Sequence, residues 1–115
     1  MNVRLIIPEI YRSKDSFYDC NDTLATYLPK YLKQVANIAG GYTAYRGTGG
    51  WIDGKGLLVE EPVTIVNCYI DDNCYLPGPL GKAEDFRYLA QTIAQELSQE
   101  CVFLSIDGKA EFIRP

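Results

Sequence analysis

Hydrophobic positions along the chain alternate between the two-residue period of a strand and the longer period of a helix. Val3 to Ile10 is aliphatic and β-branched, which predicts a first strand. Pro8 places that strand at a sheet edge or marks its end. Tyr11 to Cys20 is polar and reads as a loop. Leu24, Tyr27, Leu28, Tyr31, Val35 and Ile38 then recur at three- and four-residue steps, the stripe of an amphipathic helix. Asn21 and Asp22 are suited to cap its start, and Gly40 and Gly41 stop it. Pro29 either kinks this helix or begins its main part.

Gly41 to Ile52 holds the strand formers Tyr42, Thr43, Tyr45 and Trp51, broken by Gly47, Gly49 and Gly50, and predicts a strand with a bulge or kink. Asp53-Gly54-Lys55-Gly56 is a hairpin turn, and Leu57 to Asp71 is the return strand. Asp72 to Lys82, with two prolines and two glycines, reads as a loop. Phe86, Leu89, Ala90, Ile93, Ala94 and Leu97 mark a second amphipathic helix. Val102 to Ile106 is a fourth strand, Asp107-Gly108 a turn, and Glu111 to Ile113 a short fifth strand. The order β-α-β-β-α-β predicts an α+β fold: a mainly antiparallel sheet of four to five strands with two helices on one face. The opposite face must then meet solvent or a partner. With nine tyrosines in the chain, a covered face and a homodimer or larger assembly are expected.

At 115 residues the whole chain, 1–115, is expected to form a single ligand-binding domain. Its net charge of −4 repels a phosphate backbone, so binding to long nucleic acids is not expected. No apolar run approaches the ~20 residues that span a bilayer, so no membrane association is expected. Met1 to Ile10 is too short and too interrupted for a signal peptide, which points to the cytoplasm. The cysteines Cys20, Cys68, Cys74 and Cys101 include no pair at C-x-x-C spacing, and there is no histidine, so no metal site is expected. Free thiols in a reducing compartment are the simpler reading, with Cys68 and Cys101 in apolar strands.

The glycine stretch is the most unusual chemistry-bearing feature. Gly49 to Lys55 fits the first seven positions of a phosphate-binding loop, but Gly56 stands where Ser or Thr must hold magnesium. Gly47-x-Gly49 fails the dinucleotide fingerprint at Ile52. Two readings remain: a bent hairpin whose glycines need positive φ, and a backbone that approaches a ligand closely. Tyr42, Tyr45, Arg46 and Trp51 surround it, offering ring faces for a base and a guanidinium for phosphate. Phe86, Arg87, Arg114, Lys30 and Lys33 join these as ligand-binding candidates, though Trp51 and Phe86 equally suit a core. Glu60 and Glu61 point to opposite faces of a strand, and Asp71-Asp72 suits a turn. Without histidine the usual proton shuttle is missing. A non-catalytic protein is therefore expected, with no cofactor.

Gly40 to Glu60, GGYTAYRGTGGWIDGKGLLVE, resembles the Thoeris anti-defence proteins of the first described type, small phage proteins of similar length. The resemblance rests on the glycine-threonine start, the Gly-x-Trp centre and the Gly-Leu-Leu-x-Glu return, and the flanking elements extend it over nearly the whole chain. It implies a sponge that binds cyclic ADP-ribose signals, and in some members cyclic oligonucleotides, without cleaving them. It also implies a homodimer or hexamer, with pockets between subunits. Phe86 and Arg114 would fill the family's pocket roles, with Lys30 or Lys33 on the first helix where the family pattern leads one to expect arginine. The alternative from the residues alone is a protein-interaction or inhibitor module, for which the acidic charge and the tyrosines are the clue. A small nucleotide enzyme is a third possibility.

Overall fold

A computed structural model describes residues 1–9, 11–12, 17–18, 21–71 and 79–115. The elements in order are β1 (Asn2–Pro8), β2 (Tyr11–Arg12), β3 (Phe17–Tyr18), α1 (Asn21–Ala39), β4 (Thr43–Ile52), β5 (Leu58–Tyr69), α2 (Pro79–Glu96), β6 (Val102–Ile106) and β7 (Lys109–Ile113). One five-stranded sheet runs β4-β5-β1-β6-β7, and every neighbouring pair in it is antiparallel. The helix after β1 leads to the edge strand β4, and the helix after β5 leads to β6 on the other side of β1. This is the split β-α-β arrangement of a ferredoxin-like fold with one strand added.

Pro8 ends β1 rather than marking an edge, because β1 is the central strand, flanked by β5 and β6. Its alternation decides which face is buried. Val3, Leu5 and Ile7 pack beneath the helices, Leu5 lying between Val66 and Leu104. Tyr31 and Val35 from α1, Phe86, Leu89, Ala90 and Ile93 from α2, and Leu97 just past the end of α2 close over them. Both helices therefore lie on one face, as their apolar stripes require. The Tyr31 hydroxyl, inside this core, donates to Glu96 Oε2 at 2.9 Å. Burial, reinforced by that carboxylate, pushes the phenol well above its usual pKa.

Helix ends follow local chemistry. Gly40, at φ +87°, donates its N–H to the Ala36 carbonyl at 2.7 Å and closes α1. Pro29 lies inside α1, so the helix runs through it instead of starting there. Pro79 opens α2 three residues before the expected loop ends, its fixed φ being suited to a first helical position. At the other end of α2, Gln99 N–H bonds to the Ala94 carbonyl and Ser98 to that of Gln95, with Ser98 at φ +52°. That is a Schellman closure with serine where glycine is usual. Asp107 and Gly108, both at positive φ, make the two-residue turn between β6 and β7.

Three expectations change. β4 and β5 pair one-to-one from Thr43–Asn67 to Ile52–Leu58, so the glycines introduce no bulge. Within the expected loop of Tyr11 to Cys20, β2 and β3 pair as a short ribbon, while residues 13–16 and 19–20 lie outside the described residues. Cys101 precedes β6 and is exposed, rather than sitting in an apolar strand. Cys68 does lie in β5 against the core, where burial pushes its thiol up to about 11. The expected loop over residues 72–78, with Cys74, lies outside the described residues. Among the described residues, no helix is long and apolar enough to cross a membrane.

Candidate functional site

The face of the sheet turned away from the helices carries a trough of about 630 Å³. Small-molecule sites usually fall between about 300 and 1,000 Å³. The far half of the β4–β5 hairpin makes one wall, the approach to β6 makes the other, and Pro8 and Val63 lie between them. The hairpin is held open by its turn. Asp53 Oδ1 accepts the N–H groups of Lys55 and Leu57 at 2.8 and 2.9 Å, and Gly56 takes φ +80°.

The glycines of β4 have a different use from the one the sequence suggested. None of Gly47, Gly49 and Gly50 has positive φ; in this hairpin that conformation belongs to Gly56. At Gly47 and Gly49 their value is space. A Cβ on Gly47 would stand 3.0 Å from Ile65 Cδ1, and one on Gly49 would stand 3.2 Å from Val63 Cγ1. Glycine lets the strand lie close over its neighbour and leaves bare backbone at the trough, where Gly49 and Gly50 contribute to the wall.

The chemistry of the lining is aromatic and acidic. Trp51 stands on the hairpin wall, and Phe103 and Phe112 stand on the other side with their rings edge-to-face at 5.7 Å. Glu61 and Glu100 supply carboxylates. Among the described residues that line the trough, none is lysine or arginine. Such a surface attracts a cation through carboxylates and ring faces, and it accepts a flat heterocycle by stacking. It repels phosphate.

The sequence-derived candidates are scattered. Trp51 lines the trough. Tyr45 lies on the same face nearer the base of the hairpin, its hydroxyl accepting from Asn67 Nδ2 at 3.3 Å. Tyr42 is exposed. Arg46 points to the other face of β4, where Nε and Nη2 donate to Glu9 at 3.1 and 2.7 Å. Phe86 is 0% exposed, so its ring offers no face to a base and is a core residue. Arg87 is held by Glu84 and Glu111 on the helix side. Lys30 pairs with Glu96 at 3.5 Å, and both Lys30 and Lys33 sit on α1, across the sheet from the trough. Arg114 follows β7 and is exposed, outside the trough lining. Sequence reasoning did not single out Phe103, Phe112 and Glu100, and it set Glu61 aside. The alternation of β5, with Val63 and Glu61 on one face, was the available signal for Glu61.

Glu9 is the buried charge of this region, its side chain 5% exposed, and it also accepts the Thr64 hydroxyl at 3.1 Å. Arg46 is its partner and is mostly exposed. The pair ties the end of β1 to the hairpin that walls the trough. Loss of the two partners is expected to be unequal. Arg46→Met strands a buried carboxylate, whereas Glu9→Gln leaves an exposed guanidinium that water can solvate. Urea denaturation should therefore show the larger loss for Arg46→Met; an equal or reversed order would mean that Glu9 is solvated.

No protein family and no curated protein matches the sequence. Two solved structures share the fold: a phage SAM lyase in complex with S-methyl-5′-thioadenosine, TM-score 0.61, and a phage SAM lyase in its apo state, TM-score 0.60. Each is 15% identical and covers 99% of this chain and 88% of its own. These neighbours are phage proteins, but they are not Thoeris sponges. They also correct the expectation of a non-catalytic protein: the proteins whose fold this chain shares are lyases, which make and break bonds.

Proposed function

We propose that this protein is a phage anti-defence enzyme that cleaves S-adenosylmethionine, releasing S-methyl-5′-thioadenosine. The acidic, aromatic trough carries the reading. S-adenosylmethionine is a sulfonium cation joined to an adenine, so it presents the charge that Glu61 and Glu100 attract and the flat ring that Trp51, Phe103 or Phe112 can stack upon. A cyclic ADP-ribose signal instead brings a pyrophosphate, for which this trough offers no cation among the described residues. The shared fold of the SAM lyases supports the same substrate class.

The reaction needs little from the protein. Breaking the bond between sulfur and the Cγ of the amino acid portion returns the bonding pair to sulfur and neutralises its charge. A lyase adds no water, so the carbon fragment leaves either as a ring closed by its own carboxylate or as an alkene after loss of a proton. Ring closure needs no general base, which suits a chain without histidine. The trough then acts by holding the sulfonium and the adenine, leaving the substrate's own carboxylate free to swing in line behind Cγ, an orientation effect. Consumption of a methyl donor would starve methylation in an infected cell, which is the sense of the anti-defence role.

Incubation of the purified chain with S-adenosylmethionine, followed by chromatography, should show the substrate disappearing and S-methyl-5′-thioadenosine accumulating beyond one equivalent per chain. Recovery of all the substrate intact would overturn the proposal.

A further inference from the structure

Between α1 and α2, across the sheet from the trough, lies a second cleft of about 240 Å³. Lys30 and Tyr31 of α1 meet Glu96 near the end of α2, so the helices run antiparallel. The second half of α1 therefore lies beside the first half of α2. Gln34, Asn37 and Ile38 form one side of the cleft, and Asp85, Tyr88, Leu89 and Thr92 form the other. Ile38 and Leu89 belong to the packing of the core, so the floor is apolar while the rim is polar.

The rim is short of cations and rich in acceptors. None of the residues lining the cleft is lysine or arginine. Of the three acids on α2, Glu84 holds Arg87 and Glu96 holds Lys30. Asp85 is exposed, and among the described residues no cation pairs with it. Thr92 spends its hydroxyl proton on the Tyr88 carbonyl at 3.0 Å, so its oxygen can only accept from a ligand. Gln34 Oε1 is buried with no donor among the described residues. A carbonyl buried in this way costs stability, and a donor brought to it restores the loss. Its inward position has no hydrogen bond to give up. Gln34 as a whole is partly exposed, so a rotamer change carries the carbonyl to the cleft. Asp85 and Tyr88 are three residues apart on the helix and so are neighbours on its surface. The Tyr88 ring, 73% exposed, sets an aromatic face beside that carboxylate.

We propose that this cleft binds a small primary alkylamine. Asp85 and the Gln34 carbonyl accept from its ammonium beside the Tyr88 ring, and its alkyl chain lies over Ile38 and Leu89. The carboxylate turns anions away. Sites for drug-sized molecules begin at about 300 Å³, so this cleft suits a smaller ligand than a nucleotide. It shares no residue with the trough, so the site stands whether or not the chain cleaves S-adenosylmethionine.

Titration with putrescine, followed by proton–nitrogen correlation NMR at about 0.15 M salt, tests the site where long-range attraction to an acidic chain is screened. The side-chain amide signals of Gln34 and Asn37 should move and saturate. Asp85→Asn should weaken binding about tenfold or more, the loss of one charge-assisted contact. Glu60→Gln removes the same charge from an exposed strand position and should bind like the unsubstituted chain. Gln34→Met should weaken binding and raise Tm, because it removes the buried carbonyl that lacks a donor. Acetyl-lysine amide, with its α-amine blocked, offers the same ammonium on a protein-like stem. Tighter binding of putrescine assigns the cleft to a free amine, as proposed. Tighter binding of the lysine derivative would overturn that and assign it to a partner's lysine. Signals that do not saturate, or equal weakening in Asp85→Asn and Glu60→Gln, would reduce the effect to general charge attraction and remove the site.

Discussion

Phe86→Ala is expected to lower the unfolding free energy by about 3–5 kcal/mol, a cavity-forming loss at a fully buried ring. For a domain of this size that corresponds to a fall in Tm of roughly 12–20 °C. The ring sits on α2 among Leu89, Ala90 and Ile93, the residues that seal the helix onto the sheet. Phe86→Leu keeps most of the volume and should cost less than about 1.5 kcal/mol. At temperatures where it stays folded, Phe86→Leu should turn over substrate with an unchanged KM, because the ring touches nothing in the trough. A KM raised tenfold in Phe86→Leu with unaltered Tm would instead make Phe86 a ligand contact. Thermal denaturation beside steady-state kinetics decides the matter.

The second large effect is at Glu61. Glu61→Gln keeps the shape of the side chain and removes its charge. A charge-assisted contact is worth about 1.5–3 kcal/mol, so kcat/KM for S-adenosylmethionine should fall roughly 10- to 150-fold. Glu100 is exposed, and water screens it, so Glu100→Gln should have the smaller effect. Charge reversal separates a cation site from an anion site. Glu61→Lys should abolish measurable turnover of the sulfonium while improving retention of anionic adenine nucleotides such as AMP. Release of S-methyl-5′-thioadenosine measures the first and equilibrium dialysis the second. Unchanged kcat/KM in Glu61→Gln would place the sulfonium away from this carboxylate. The expected effect also rises at low ionic strength, since Glu61 is only half-buried and its field is screened over about 10 Å at 0.1 M salt.

Local signals in the chain were sufficient for the elements. The stripe from Tyr27 to Ile38, the stripe from Phe86 to Leu97, the Asp53–Gly56 turn and the Asp107-Gly108 turn each record a short-range preference: a helical period, an Asx turn, or a positive φ. The order of those elements was then enough for the fold class, because two amphipathic helices and one sheet have few ways to bury their apolar faces. Short-range preference also carried the wrong inference at Gly47, Gly49 and Gly50. A glycine's reason for being present is invisible in sequence when that reason is a neighbour across the sheet. At Gly47 and Gly49 the reason is Ile65 and Val63, well over ten residues away along the chain, rather than a turn.

The site depended on registers and faces that no local pattern fixes. Arg46 and Tyr45 are adjacent in sequence, yet one points to Glu9 beneath the sheet and the other to the open face. Phe86 and Trp51 looked alike as aromatic candidates, and only packing sent one into the core and the other to a trough. The carboxylates of Glu61 and Glu100 come from distant segments that meet because β5 and the approach to β6 flank β1. Sequence alone thus determined the two helices, the long strands and the turns between them, since those choices rest on forces acting within a few residues, but not the β2–β3 ribbon or the first turn of α2. The sign of charge in the trough and the rings around it were decided by tertiary structure, because they depend on which face of each strand is left uncovered once the helices have taken the other.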